Sequence, residues 1–208
     1  ERARRASAGG AFSREITPVE IVGRRGTERV DQDEQPLKAD PAKIPTLKPA
    51  FAKDGAITAA NASSISDGAA ALVMMRASTA KALGLTPIAR VAGHGAHAHE
   101  PGRFTTAPAP AMKKALARAG WSVGDVGLFE VNEAFAVVAM IAMRELGLDH
   151  GRTNVNGGAC ALGHPIGASG ARILATLLSA MEARGETRGL ASLCIGGGEA
   201  VAMAVERL

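Results

Sequence analysis

Aromatic residues are scarce in this sequence of 208 residues: Phe, Tyr and Trp make up 3% of it, and tyrosine is absent. Proteins that bind single-stranded nucleic acid stack bases on aromatic side chains, so the composition argues against such a surface. No apolar run approaches the roughly 20 residues that a membrane-crossing helix needs. The sequence therefore predicts neither a base-stacking surface nor a membrane span.

Cysteine is also rare, since Cys160 and Cys194 are the only two. Two thiols cannot build a disulfide framework, which favours a reducing cytoplasm. The 24 basic and 20 acidic residues leave a net charge of +4. A basic balance favours nucleic acid or a phosphorylated substrate, but no helical segment carries Lys or Arg along one face. We therefore expect no nucleic-acid partner.

The chain is long enough to bury one sizeable core, because 47% of its residues are hydrophobic. It opens on an Arg- and Ser-rich segment that superficially resembles a transit peptide. A simpler interpretation is the tail of a helix that begins upstream and stops at Gly9-Gly10. We therefore expect residues 1–14 to end a preceding element and residues 15–208 to form one domain.

Strand-like and helix-like segments alternate along the chain. Strands are expected over residues 15–22, 69–75, 88–92, 126–131, 189–195 and 200–205, and helices over residues 2–8, 78–83, 109–119, 134–146 and 168–183. Residues 31–49 contain four prolines and should form a surface excursion. The alternation predicts an α/β fold in which a mixed sheet of about five strands has helices on both faces.

A glycine-rich stretch over residues 154–172 leads directly into the last predicted helix. The amides of Gly167, Ala168 and Ser169 at a helix start favour an anion or a carbonyl oxygen. His164 is the only group in this stretch that titrates near neutrality. A site for acid–base chemistry is one interpretation, and a tight turn with a surface histidine is the other.

Two further segments place polar groups at strand ends. Cys194 ends a predicted strand before the turn Gly196-Gly197-Gly198, where it is either a reactive thiol or a small buried apolar residue. Asn132 and Glu133 stand where a strand turns into a helix, which also suits a helix N-cap.

Together, three motifs resemble the C-terminal signatures of the thiolase family. They are Asn132-Glu-Ala-Phe135, Gly163-His-Pro-Ile-Gly-Ala-Ser-Gly170 and Cys194-Ile-Gly-Gly-Gly198, in the family's order and at family-like spacing. The resemblance runs along the whole chain and implies a thiolase-like C-terminal domain. The Gly-rich stretch looks closer to that of bacterial acetyl-CoA acetyltransferases than to that of thiolases of the trifunctional-complex type.

The resemblance implies a role for each motif. In thiolases a cysteine of the N-terminal half takes an acyl group from one acyl-CoA, and the enolate of another attacks that thioester. His164 would activate the nucleophile and, with a water held by Asn132, line an oxyanion hole. Cys194 would be the acid/base, in a site that lowers its pKa, and the Gly196 amide would serve a second oxyanion hole. Such exchange needs an activated nucleophile and fixed donors where negative charge develops.

The resemblance also implies contacts with coenzyme A, which would be a substrate thioester and not a permanently bound cofactor. Ser63 and Phe51 match coenzyme A-contacting positions, and Ala134 and Phe135 match positions near the pantetheine and acyl group. Ordinary core packing is the alternative for Phe51. Leu37 stands where many thiolases have an arginine that approaches the nucleotide, although Lys38 is adjacent.

The expected partners are an acyl-CoA and the N-terminal half of the same enzyme, in a homodimer or homotetramer when complete. Neither cysteine lies in the context of the family's nucleophile, so the chain alone should be inactive. A non-catalytic fragment or interaction module is the alternative, and a Cys–His hydrolase using Cys194 is a remoter one. The spacing of His94, His97 and His99 fits no zinc motif, so we expect a histidine-bearing loop and no metal.

Overall fold

The computed structural model describes all residues from 1 to 208. Its helices are α1 (Arg2–Ala8), α2 (Gln35–Lys38), α3 (Ala77–Ala82), α4 (Pro108–Ala119), α5 (Ala136–Leu146), α6 (Ala159–Leu162) and α7 (Ser169–Arg184). Its strands are β1 (Val19–Gly23), β2 (Gly26–Val30), β3 (Ala89–Ala98), β4 (Leu128–Val131), β5 (Arg188–Ile195) and β6 (Glu199–Arg207). Short 3₁₀ turns lie at Pro41–Thr46, Pro101–Thr106, Val123–Asp125 and His150–Arg152.

Four strands form the central sheet in the order β3-β6-β5-β4. β4 runs parallel to β5, whereas β6 is antiparallel to both of its neighbours, so the sheet is mixed. Side chains alternate between its faces: Phe129 packs with α4 and α5, whereas Leu128 packs with α7. The prediction of an α/β fold with helices on both faces of a mixed sheet is confirmed.

The sheet has four strands where about five were expected. The missing one is the segment over residues 69–75, which pairs with no strand of this chain. Val73 is 90% exposed and Met74 61%. An apolar run indicates that its side chains favour burial, but a strand also needs a neighbour to satisfy its backbone groups. This prediction is therefore wrong for the chain as it stands.

Residues before the sheet follow the surface for most of their length. β1 and β2 form an exposed antiparallel hairpin of their own, and the expected surface excursion over residues 31–49 is confirmed. The central sheet takes all of its strands from Ala89 onward. The residues before Ala89 contribute no strand to the central sheet. The expectation that residues 15–208 form a single domain therefore stays a prediction.

Glycine ends the long helices, as the sequence indicates. Gly120, Gly147 and Gly185 follow α4, α5 and α7 with φ of 71°, 66° and 69°. Only glycine adopts this left-handed conformation readily, so each position stops its helix. The opening helix α1 has the bounds that the sequence predicts. It is followed by Gly9, and its Ala3 is buried.

Two glycines allow α4 to cross β3 closely. A Cβ on Gly95 would collide with the Ala111 carbonyl, and one on Gly93 would meet Ala115 and Ala119. The histidines of this region were expected on a loop, and that is wrong. His94 and His97 belong to β3, and His99 directly follows it.

None of the helices combines the length and apolar character required to cross a bilayer.

Candidate active site

The carboxyl ends of the parallel pair β4 and β5 meet at one edge of the sheet. Asn132 directly follows β4, and its backbone N–H donates to Ser192 O on β5 at 2.9 Å. Cys194 lies near the end of β5, and Gly196 lies in the turn that follows. Ligands of open α/β sheets bind outside such carboxyl ends, so the topology puts these residues at a suitable edge.

Asn154 holds the end of β4 from the side. Its side chain accepts from Val131 N and donates to Val131 O, both at 2.8 Å, and its Nδ2 also donates to Glu133 Oε1 at 3.1 Å. Asn154 is 4% exposed and is the single non-glycine residue with a positive φ, at 48°. Asparagine tolerates this conformation better than most residues. The clamp fixes the backbone that presents Asn132.

His164 contacts Asn132 directly. Asn132 Nδ2 lies 3.3 Å from His164 Nε2, and His164 Nδ1 lies 2.6 Å from Ser169 Oγ. Burial lowers the pKa of His164, and the nearby Arg172 charge lowers it further. The imidazole is therefore held in its neutral form, in which it can accept a proton near neutral pH.

One loop joins this pair to the expected coenzyme A contacts. The loop at residues 61–65 pairs with Phe135 through Ala62 and with His164 through Ile65. Ser63 donates to Ala134 O from both its amide, at 3.0 Å, and its hydroxyl, at 2.9 Å. The same loop therefore lies against the strand-to-helix turn after β4 and against the glycine-rich stretch.

Phe51 joins the same group through its ring. The Phe51 and Phe135 ring centroids lie 6.2 Å apart in an edge-to-face arrangement. Phe51 is 75% exposed, which contradicts ordinary core packing as the reason for this residue. Phe51, Ser63, Ala134 and Phe135 thus form one contiguous patch beside the Asn132–His164 pair.

Cys194 is buried near this edge, but no hydrogen bond links it to Asn132 or His164. It is 7% exposed and packs in the cluster that contains Phe129. Burial raises the pKa of Cys194, although its acid/base role was expected to come with a lowered value. The thiol is therefore protonated at neutral pH. Gly196 is exposed, with open space around it.

Cys160 is a weakly nucleophilic thiol. Its Sγ donates to Glu133 O at 3.6 Å, and its backbone N–H donates to Glu133 Oε2 at 3.3 Å. Burial, with the Glu133 charge added to it, raises the pKa of Cys160 to about 12. The thiolate is the nucleophilic form, so Cys160 carries little nucleophilic character at neutral pH.

Family models match most of the chain. Residues 1–78 match the N-terminal domain of thiolase, and residues 85–207 match the C-terminal domain of thiolase. The chain belongs to the thiolase family.

Curated thiolase relatives resemble the chain along nearly its whole length. It is 53% identical to the acetyl-CoA acetyltransferase of Escherichia coli (strain K12) over 96% of this chain and 51% of the relative. It is 48% identical to a probable acetyl-CoA acetyltransferase of Dictyostelium discoideum over all of this chain and 50% of the relative. The chain thus spans about half the length of the curated relatives that it matches.

Solved thiolases share the fold. The acetyl-CoA acetyltransferase of Bacillus anthracis superposes with a TM-score of 0.95 at 43% identity, over all of this chain and 53% of that one. A thiolase from Ascaris suum in complex with coenzyme A gives a TM-score of 0.88 at 40% identity, over the same shares.

Three side chains around the Asn132–His164 pair were not assigned roles from the sequence. They are Asn154, Ser169 and Arg172, whose Nη2 lies 3.5 Å from Asn132 Oδ1. Ser169 and Arg172 are three residues apart at the start of α7. This spacing puts both on one helix face and could have indicated them.

Near the other end of the chain, Lys38 forms an ion pair with Glu34, so the charge of Lys38 is already engaged beside Leu37.

Proposed function

We propose that this chain supplies the acid/base half of a thiolase active site, which transfers acyl groups between coenzyme A thioesters. Acetyl-CoA and acetoacetyl-CoA are the proposed substrates, because the relatives are named acetyl-CoA acetyltransferases. The observation that carries the proposal is the contact between Asn132 Nδ2 and His164 Nε2. It joins an amide donor to a neutral base, the two kinds of group that acyl transfer requires.

In the proposed first step, the Nε2 atom of His164 takes the proton from a nucleophilic cysteine outside this chain as that sulfur attacks the acyl-CoA carbonyl. Cys194, protonated because burial raises its pKa, donates its proton to the departing coenzyme A thiolate. The resulting Cys194 thiolate then removes an α-proton from a second acyl-CoA. The carbon of that enolate, whose oxygen Asn132 and His164 stabilise, attacks the acylated cysteine, and the Gly196 amide stabilises the tetrahedral intermediate. The intermediate expels the cysteine sulfur, which takes its proton back from His164.

The patch formed by Phe51, Ser63, Ala134 and Phe135 is the proposed contact with coenzyme A. Its exposed Phe51 ring is suited to cover the pantetheine chain, and the patch adjoins His164 through the loop over residues 61–65. The coenzyme A bound to the Ascaris suum relative supports a ligand of this class. The coenzyme enters and leaves as substrate and product.

The proposed partner is the remainder of a full-length thiolase. On the α7 side of the sheet, Val91 of β3 and Val201 of β6 are 44% and 41% exposed, and the apolar segment over residues 69–75 is also uncovered. Such surface favours association. A homodimer or homotetramer, and the cytoplasm as compartment, remain predictions for the complete enzyme.

A non-catalytic role for the isolated chain is the second candidate. Burial raises the pKa of both Cys160 and Cys194, so neither thiol is poised to form an acyl-enzyme. The same observation disfavours a hydrolase that uses Cys194 as nucleophile.

Two variants test the division of labour, in the chain combined with the part of the Escherichia coli relative that it does not cover. His164→Ala should abolish labelling of the enzyme by radioactive acetyl-CoA. Cys194→Ser should retain much of the labelling but lose tritium exchange at the acetyl methyl group, because a hydroxyl is too weak a base for that proton. His150→Ala, on an exposed turn, and Cys160→Ser are the matched controls. Equal loss of both steps in Cys194→Ser would contradict the assignment.

A further inference from the structure

The first turn of α7 reaches the Asn132–His164 pair with two polar side chains. Ser169 is fully buried, and its Oγ lies 2.6 Å from His164 Nδ1. Arg172 Nη2 lies 3.5 Å from Asn132 Oδ1. The chemistry proposed above assigns no step to either side chain.

The arginine determines the direction of the hydrogen bonds. A guanidinium only donates, so the atom of Asn132 that faces Arg172 is the carbonyl oxygen Oδ1. The amide nitrogen Nδ2 then faces His164 Nε2, at 3.3 Å. Because an amide NH₂ also only donates, Nε2 must accept and carries no proton in the neutral ring.

The other ring nitrogen consequently bears the hydrogen. His164 Nδ1–H donates to Ser169 Oγ, and the single hydroxyl hydrogen of Ser169 goes to Pro165 O at 3.0 Å. From Asn132 Nδ2 through the His164 ring to Pro165 O, each of these hydrogen bonds thus has one donor and one acceptor. The opposite tautomer would direct Nε2–H at the amide hydrogens of Asn132, which is repulsive.

We infer that Ser169 is a positioning residue, whose buried hydroxyl holds His164 in the Nδ1–H tautomer. Nε2 is thereby kept unprotonated, so that it can take the nucleophile's proton in place of the hydrogen bond from Asn132. The consequence for catalysis rests on the proposed function. The tautomer itself is a property of this chain and is measured without any substrate. A failure of the tautomer assignment is therefore distinguishable from a failure of the proposed activity.

The test is the two-bond ¹H–¹⁵N correlation spectrum of the imidazoles in the ¹⁵N-labelled chain, recorded where His164 is neutral. Wild type should show a single Nδ1–H tautomer for His164. Ser169→Ala should shift His164 to a mixture with a large Nε2–H share, since the tautomer follows the bond at the other nitrogen. Ser169→Thr, which keeps a hydroxyl, should restore the wild-type pattern.

Ser192→Ala is the matched control. Ser192 is also fully buried, and its hydroxyl donates to the Val201 carbonyl at 2.9 Å, but it has no bond to His164. The Ser192→Ala variant should lower the melting temperature much as Ser169→Ala does and leave the His164 tautomer unchanged. A general loosening of the fold would move both variants alike.

Ser169→Cys provides a second variant if the alanine variant does not fold, because a thiol fills the same space and accepts hydrogen bonds weakly. It should give a His164 spectrum between those of wild type and the mixed state. In the complemented enzyme, Ser169→Ala should lower kcat by about 10- to 100-fold, with KM for acyl-CoA unchanged; a wrong tautomer in a Ser-His-Asp triad costs more. An Nε2–H tautomer in wild type, or an unchanged spectrum in Ser169→Ala or Ser169→Cys, would overturn the inference.

Discussion

Asn132 Nδ2 lies 3.3 Å from His164 Nε2, although 32 residues separate them in the chain. The contact forms because Asn132 follows β4 while His164 is bonded through its backbone to the loop at Ser64. An amide that donates to a ring nitrogen stabilises the unprotonated imidazole. This pair therefore combines a base with an oriented donor, as a carbonyl-activating site requires.

Replacing this amide by a carboxylate should reverse the electrostatics at His164. In wild type, burial and the Arg172 charge hold the pKa of His164 below its ordinary value. Asn132→Asp keeps the size of the side chain but puts a negative charge beside Nε2, so the pKa of His164 should rise by roughly one to three pH units. NMR titration of the imidazole signals measures this change.

The imidazole of His97, on β3, serves as the reference signal in the same spectra. Its titration should be the same in wild type and in Asn132→Asp. An unchanged or lower pKa of His164 in the variant would show that the amide does not act on the ring.

A buried carboxyl on β4 should make stability depend on pH. Glu130 is 2% exposed, and burial raises its pKa to about 8, against the opposing effect of Arg172. Between about 4.5 and about 8 the folded protein holds a proton that the unfolded chain releases, so this group's contribution to stability falls as pH rises. Glu130→Gln removes that dependence.

The difference in melting temperature between Glu130→Gln and wild type should therefore grow in favour of the variant from pH 5 to pH 8.5. Glu28→Gln on the exposed strand β2 is the control and should show a constant difference. A difference that shrinks over this range would mean that Glu130 is ionised and paired with Arg172 in the folded protein.

Leu37 offers a gain-of-binding test at the proposed nucleotide end. It is 54% exposed at a position where the resemblance to thiolases predicts an arginine. Leu37→Arg should tighten coenzyme A binding by roughly 3- to 10-fold through a charge-assisted contact with phosphate. Isothermal titration with coenzyme A measures the affinity, and added salt should reduce the gain.

The control for this variant is Leu85→Arg, which adds the same charge at a leucine that is 50% exposed elsewhere on the chain. An equal gain in both variants would indicate general attraction of a polyanion to a basic protein. No gain in Leu37→Arg would place the nucleotide away from α2.

The helix ends were the most predictable part of the fold. Gly120 and Gly147 each follow a helix in the left-handed conformation, because a glycine that turns left-handed stops a helix whatever packs against it. The segment over residues 69–75 was misread for a different reason. Its apolar pattern reports a preference for burial, whereas strand formation depends on a partner that no local pattern specifies.

The site was predictable only through its resemblance to thiolases, which indicated that Asn132 and His164 act together. Residue spacing alone gave no reason for two side chains so far apart to meet, since the contact depends on the ends of β4 and of a long loop. The support from Asn154, Ser169 and Arg172 was missed because each is an ordinary polar residue in the sequence. The function of each residue depends on the direction of its hydrogen bond, and only the three-dimensional geometry gives that direction.

The most direct test of the central claim is thiolysis of acetoacetyl-CoA by the chain alone and by the chain combined with the part of the Escherichia coli relative that it does not cover. We predict no turnover above background for the chain alone. The combination should show turnover that falls by at least about 100-fold in His164→Ala, the scale expected for losing a general base. Turnover by the chain alone that disappears in Cys160→Ser or Cys194→Ser would contradict this account. So would an inactive combination in which the two parts form a stable complex that binds coenzyme A.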